Sequence, residues 1–286
     1  MKKLISGLRT FKAHHFPARQ ELFEQLSHGQ HPSVLFVTCA DSRIMPSLIT
    51  QTDVGDLFVI RNAGNIIPPF GAANGGEGAT VEYAVQALGI RQIVVCGHSH
   101  CGAMKGLLKL NQLQEDMPLV YDWLKHTEAT RLLLKENYAD FSGEELLEIA
   151  IAENVLTQIE NLKTYPAVRS KLFQGSLQIY GWVYQIETGE VLAYDADTHT
   201  YMAPQTQLTD QPTSNAPYFV KTSAPPVSCD YLPPSGTMPT VAPPRPVMLP
   251  SVNPVAEPGV NAADRAMPWL SPEQIDRIYR GSAAAR

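Results

Sequence analysis

The chain has 286 residues, 44% of them hydrophobic, a formal charge of −6 at pH 7 and a pI of about 5.7. It carries no basic field for nucleic acid or an anionic membrane, so neither partner is expected. Four cysteines are too few for a disulfide framework at this length, which points to a reducing compartment and to cysteines kept for metal or catalysis.

The N-terminus, MKKLISGLRTFKAHHF, starts basic but lacks the apolar core of a signal peptide, and no run approaches the 18 apolar residues of a membrane span. A helical N-terminal arm is expected there. From residue 20 to 195 the chain alternates in an α/β rhythm. Residues 33–38 (SVLFVT), 56–60 (DLFVI) and 92–96 (QIVVC) are short β-branched runs, as expected of strands buried on both faces. Between the second and third, GEGATVEYAVQALG has helical spacing and ends at Gly89. A long helical block follows from Met117 to about Tyr165. Its second half opens with a capping box, Ser142 with Glu145 three residues on. SLQIYGWVYQIETGEVLAYD then reads as two strands around the turn Glu187–Glu190. The fold class is therefore α/β: a central, mostly parallel sheet flanked by helices, with an antiparallel edge hairpin.

Of the 23 prolines, seven fall in residues 1–203 and sixteen in residues 204–286, and this contrast sets the domain boundary. Residues 1–203 form one domain, residues 204–265 a Pro-rich disordered linker, and residues 266–286 a short helical partner-binding segment. In that last segment Ser271 is the expected N-cap, Pro272 the first helical position and Gln274 the partner in the box. At roughly ten residues such a helix is below the ~12–15 needed for stability alone in water, so it is expected to order on a partner.

Two strand ends carry ligand chemistry. The first is VLFVTCADSRIMP, with Cys39, Asp41 and Arg43; the second is QIVVCGHSHCG, with His98 and Cys101. His-x-x-Cys is a chelating spacing, and Cys39 from the neighbouring strand end would complete a Cys₂His set. That set selects zinc and leaves one coordination position open. Cys96 lies within the apolar run and is expected in the core, and His100 beside the site or at the surface. Spacing alone leaves three readings: a structural metal, a catalytic metal or no metal. Asp41 and Arg43 favour catalysis, because a structural zinc has no use for a carboxylate held ionised by a guanidinium beside it.

The segments CADSRIMPS, VIRNAGNIIPP, GATVEYAVQALG and VVCGHSHCGAMKGL, in that order, resemble the signature segments of the β-class carbonic anhydrases over residues 20–200. The resemblance implies zinc, one ion per subunit, on Cys39, His98 and Cys101, with Asp41 and Arg43 as the dyad that orients a zinc-hydroxide nucleophile toward CO₂. Gln30, Phe58, Tyr83 and the Gly102 amide correspond to the substrate pocket of the plant and cyanobacterial type. Ala63 departs from that pattern, standing where a bulkier aliphatic residue is common. The linker and the closing LSPEQIDRIYRG resemble the extension of carboxysomal members of the family. This implies a cytoplasmic enzyme inside the carboxysome, bound through its tail to a scaffold protein with a γ-carbonic-anhydrase-like domain and supplying CO₂ to Rubisco by bicarbonate dehydration. The family implies homo-oligomers built from dimers. Two other readings fit the same frame: a carbon disulfide or carbonyl sulfide hydrolase, and a non-catalytic carboxysome recruitment protein.

Overall fold

The computed structural model describes residues 1–73 and 75–204. The linker, Cys229 and the 266–286 segment with Ser271 lie outside the described residues. The N-terminal arm is helical, as expected: α1 (Lys2–Thr10), α2 (Phe16–Ala18) and α3 (Gln20–Ser27). None of its residues is buried; Leu4, Leu8, Phe11 and Phe16 are exposed, and Phe16 stacks on Phe23 at 5.2 Å.

The sheet begins with β1 (Val34–Cys39), the short helix α4 (Pro46–Thr50) and β2 (Leu57–Asn62). Next come α5 (Gly76–Glu82), prolonged by a π-helical stretch to Ala87, and β3 (Gln92–His98). After β3 the chain runs through α6 (Gly102–Leu108), α7 (Leu113–Asp116), α8 (Pro118–Leu124) and α9 (Glu128–Asn137). The long α10 (Gly143–Lys163) and α11 (Pro166–Phe173) then lead into β4 (Gln178–Tyr184), β5 (Val191–Asp195) and β6 (Thr200–Met202). The strand order is β2-β1-β3-β4-β5-β6. The first four strands are parallel, and β5 and β6 turn back antiparallel.

Three expectations need correction. β2 is not buried on both faces: at this outermost position Val59 and Arg61, which share one face, are open to solvent, while Ile60 on the other face is buried. The capping box at Ser142 does not form. Ser142 is the N-cap but its side chain makes no capping bond, and Gly143 follows at φ +62, outside the geometry the first turn of such a box needs. The antiparallel edge has a third strand, β6, too short to announce itself by alternation. The Tyr201 hydroxyl anchors it by donating to the Ala152 carbonyl of α10 at 2.9 Å.

The main core lies between the sheet and α10. Leu35, Val37, Ile93 and Val95 point toward Leu147, Ile151 and Val155, while Phe36, Val94 and Cys96 form a smaller cluster with Trp182. The helix approaches β3 so closely that a Cβ at Gly97 would lie 2.9 Å from Val155 Cγ2 and 3.1 Å from Ile151 Cγ2. Glycine is required at that contact, two residues beyond Val95 and one before His98. Gly97→Ala is expected to destabilise the protein by about 1–3 kcal/mol through overpacking. Gly7→Ala, on the exposed α1 with nothing within 4 Å, is expected to be neutral or stabilising by up to about 1 kcal/mol. Paired urea denaturation curves check both.

Candidate metal centre and active site

Parallel pairing of β1 with β3 runs to the pair Thr38–Cys96, so both strands finish on the same edge of the sheet. Cys39 is the last residue of β1, His98 the last of β3, and Cys101 the residue that precedes α6. Their ligand atoms all lie within 4.8 Å of one another. All three are buried: Cys39 is 6% exposed, His98 0% and Cys101 1%. Nδ1 of His98 donates to the Ser99 carbonyl at 2.8 Å, which fixes the tautomer and leaves the Nε2 lone pair facing inward. Among the described residues that buried Nε2 has no hydrogen-bond partner. An orphaned imidazole nitrogen among two thiols is the donor set that zinc takes, so the residues fit the ion.

The two thiols face each other. The Cys101 thiol, hydrogen-bonded to Cys39, holds Cys39 well below the usual thiol range, whereas Cys101 is pushed up by that pairing and by burial. Without metal the pair therefore shares one proton, and a dication would displace it. The Gly64 N–H also donates to Cys39 Sγ, at 3.4 Å. Cys96 lies in the smaller core cluster, as expected, and burial pushes its thiol up to about 12, so it stays inert.

Asp41 and Arg43 form the expected pair. Arg43 Nε reaches Asp41 Oδ1 at 2.9 Å, its Nη2 reaches Oδ2 at 2.7 Å, and its backbone N–H donates to Oδ1 at 3.0 Å. This bidentate clamp holds the Asp41 carboxyl well below the usual carboxylate range. Arg61, which sequence reasoning missed, braces the same turn from β2: its Nε donates to the Cys39 carbonyl at 3.1 Å and its Nη2 to the Asp41 carbonyl at 2.7 Å. Its signal was in the VIRN segment, where an arginine closes a strand that starts as an apolar run.

The remaining residues divide. Phe58 and Tyr83 come together, with ring centroids 6.0 Å apart. Gly102 opens α6 directly after Cys101. Gln30 lies in the exposed segment between α3 and β1, and among the described residues none of its hydrogen bonds reaches the cluster. His100 adopts φ +55, and its ring contacts Glu187 Oε1 and, at 3.4 Å, Glu144 Oε2. These two carboxylates come from the β4–β5 turn and from α10, a convergence that sequence spacing gives no means of seeing.

Known proteins resemble this chain in sequence and in fold. The family model described as carbonic anhydrase matches residues 34–191. Carbonic anhydrases of Synechococcus elongatus and Synechocystis sp. are 56% and 55% identical, each alignment covering 99% of this chain and 100% of the relative. The Pseudomonas aeruginosa carbonic anhydrase is 43% identical and covers 71% of this chain and 91% of its own length. The solved structure of the β-carbonic anhydrase CcaA superposes with a TM-score of 0.71 at 66% identity, covering 71% of this chain and 99% of that one. Tetrameric β-carbonic anhydrases of Sordaria macrospora give 0.61 at 27% identity, covering 67% of this chain and 95% of theirs.

A depressed thiol is ionised above its folded pKa, whereas an ordinary one, near ~8.5, is protonated at pH 6. The metal-free protein at pH 6 is therefore expected to show thiolate absorbance near 240 nm equivalent to about one thiol per chain. Cys39→Ser is expected to abolish it, and Cys96→Ser to leave it unchanged.

Proposed function

Because the chain belongs to the β-carbonic anhydrase family, and so catalyses the hydration of CO₂, we propose that Cys39, His98 and Cys101 hold one zinc ion per subunit and that Asp41 and Arg43 orient the reaction beside it. The observation that carries this is the buried, orphaned Nε2 of His98 within 4.8 Å of two thiol sulfurs, next to a carboxylate clamped by arginine. Bound zinc supplies Lewis acidity, bringing the pKa of its water from ~16 to near ~7. Asp41 is kept as a pure acceptor: with Arg43 on both of its oxygens it stays ionised across the working pH range and cannot donate a proton. Its remaining lone pairs take a hydrogen bond from the nucleophile and fix its direction. Arg61 keeps that acceptor in register with Cys39. The Phe58–Tyr83 pair provides an apolar wall suited to CO₂, and the Gly102 amide at the start of α6 and the carboxamide of Gln30 supply donors for its oxygens.

Gln30 serves a neighbouring subunit in this reading. The wholly unburied arm, with exposed Leu4, Leu8, Phe11 and Phe16, and the unpaired edge of β2 both favour assembly from dimers. The Sordaria macrospora neighbours are described as tetrameric.

We further propose that the enzyme is cytoplasmic and works inside the carboxysome, dehydrating bicarbonate to supply Rubisco. Residues 204–265 then act as a linker and residues 266–286 as the segment that binds a scaffold protein with a γ-carbonic-anhydrase-like domain. The support is the extent of similarity. The cyanobacterial relatives align over 99% of the chain, whereas the Pseudomonas relative aligns over 71%. The stretch beyond the catalytic domain is thus shared with the former. Among the described residues no helix is long and apolar enough to cross a membrane.

Metal analysis and CO₂ hydration assays check the site. Cys39→Ser is expected to lose both zinc and activity. Asp41→Asn is expected to keep full zinc content while kcat/KM falls about 10²-fold, since it loses orientation rather than metal. Loss of zinc in Asp41→Asn would place that residue among the ligands instead. Deleting residues 266–286 is expected to leave zinc content and hydration rate unchanged and to abolish capture by the scaffold; equal capture of both forms would refute the tail's role.

A further inference from the structure

A single peptide unit links the metal centre to a helix that carries none of its ligands. We propose that Trp123 of α8 is a positioning residue for the metal site, acting through the Ala63–Gly64 peptide on the sulfur of Cys39. The inference rests on Cys39 being a zinc ligand. The indole Nε1–H of Trp123 donates to the Ala63 carbonyl at 2.8 Å. The N–H of that same peptide, at Gly64, donates to Cys39 Sγ at 3.4 Å. A carbonyl that accepts a hydrogen bond polarises its own amide, so the two bonds reinforce each other by roughly 10–30% per bond. The chain Trp123 N–H, Ala63 C=O, Gly64 N–H, Cys39 S is therefore one conduit.

The rest of the loop is built to hold that peptide still. Asn154 Nδ2 donates to the Gly64 carbonyl at 3.0 Å, and Asn154 Oδ1 is itself held by Thr127 at 2.8 Å and Gln158 at 2.9 Å. Asn62 brackets the loop by exchanging two 2.8 Å bonds with the Ile66 backbone. Gly64 sits at φ +85, and a Cβ there would lie 3.0 Å from Ala103 and 3.1 Å from Met104 on α6, so the backbone approaches the cluster as no other residue could. Among the described residues that hold the loop, Trp123 alone bonds the carbonyl of the unit whose N–H faces the sulfur. A hydrogen bond to a thiolate draws electron density from it, so the indole sets how strongly Cys39 donates to the ion. Partners behind the ligands typically contribute 10–100-fold to metal affinity.

The test uses full-length protein reconstituted with cobalt(II), whose sulfur-to-metal charge-transfer band reports thiolate donation directly. Trp123→Phe removes the N–H and keeps most of the ring. Its band is expected to move to lower energy because the thiolate donates more, and its zinc to pass to a competing chelator at about tenfold lower chelator concentration because the peptide no longer holds Cys39 in position. A purely structural role for the indole would lower thermal stability without moving the band. A folded Trp123→Phe protein with wild-type band and wild-type zinc retention overturns the inference. Should that variant not fold, benzothienylalanine at position 123, which places sulfur where the indole N–H was and preserves ring shape, gives the same readout. A wild-type protein that takes up cobalt with no thiolate band overturns the metal reading, and the inference with it.

Discussion

Two thiols and an imidazole are confined to one dry pocket at the end of two parallel strands, and the surrounding structure answers to that constraint. Buried polar groups need partners, and His98 Nε2 has none among the described residues. Cys39 and Cys101 bond each other, sharing a proton that a dication would replace, and the Gly64 N–H adds a further bond to Cys39. Metal binding and the stability of this edge of the sheet are therefore linked: an ion bound by the native cluster and not by the unfolded chain stabilises the fold.

Around that pocket the chain supplies two kinds of support. Hydrogen bonds to backbone carbonyls fix where the ligands stand: Arg61 on Cys39 and Asp41, Ser99 on His98, and the Trp123 conduit behind Gly64. Charge fixes what the neighbouring groups can do. Arg43 occupies both oxygens of Asp41 and leaves it an acceptor that is ionised at any working pH. α10 serves both ends, since its apolar face packs on the sheet through Gly97 and its polar residues Asn154, Gln158 and Asn161 grip the loop over residues 64–67. A core helix that carries a ladder of amides is unusual, and the ladder's partners are the unpaired backbone groups of that loop.

Much of this was legible in the sequence because the fold announces itself by period and punctuation. Three β-branched runs became β1, β2 and β3, the turn at Glu187–Glu190 became the hairpin, and Cys39, His98 and Cys101 came together at the strand ends as a group that could hold a metal. What escaped had no local signal. Arg61 and Trp123 act through backbone carbonyls brought near by tertiary packing, and the contacts of His100 reach Glu144 and Glu187, 44 and 87 positions further along the chain. β2 misled because an edge strand and a buried one share composition; only neighbours distinguish them. The capping box at Ser142 misled because its pattern takes no account of a glycine at positive φ. No residue of the arm's helices is buried and Gln30 is exposed, and no pattern in the sequence says what either of them faces.

The central claim is a three-ligand site with its fourth position open, and X-ray absorption at the zinc edge of the reconstituted protein tests it most directly. The account predicts two sulfurs at about 2.3 Å and two lighter donors at about 2.0–2.1 Å, one of them the His98 nitrogen. Three or four sulfurs, or a shell of nitrogen and oxygen alone, would contradict it.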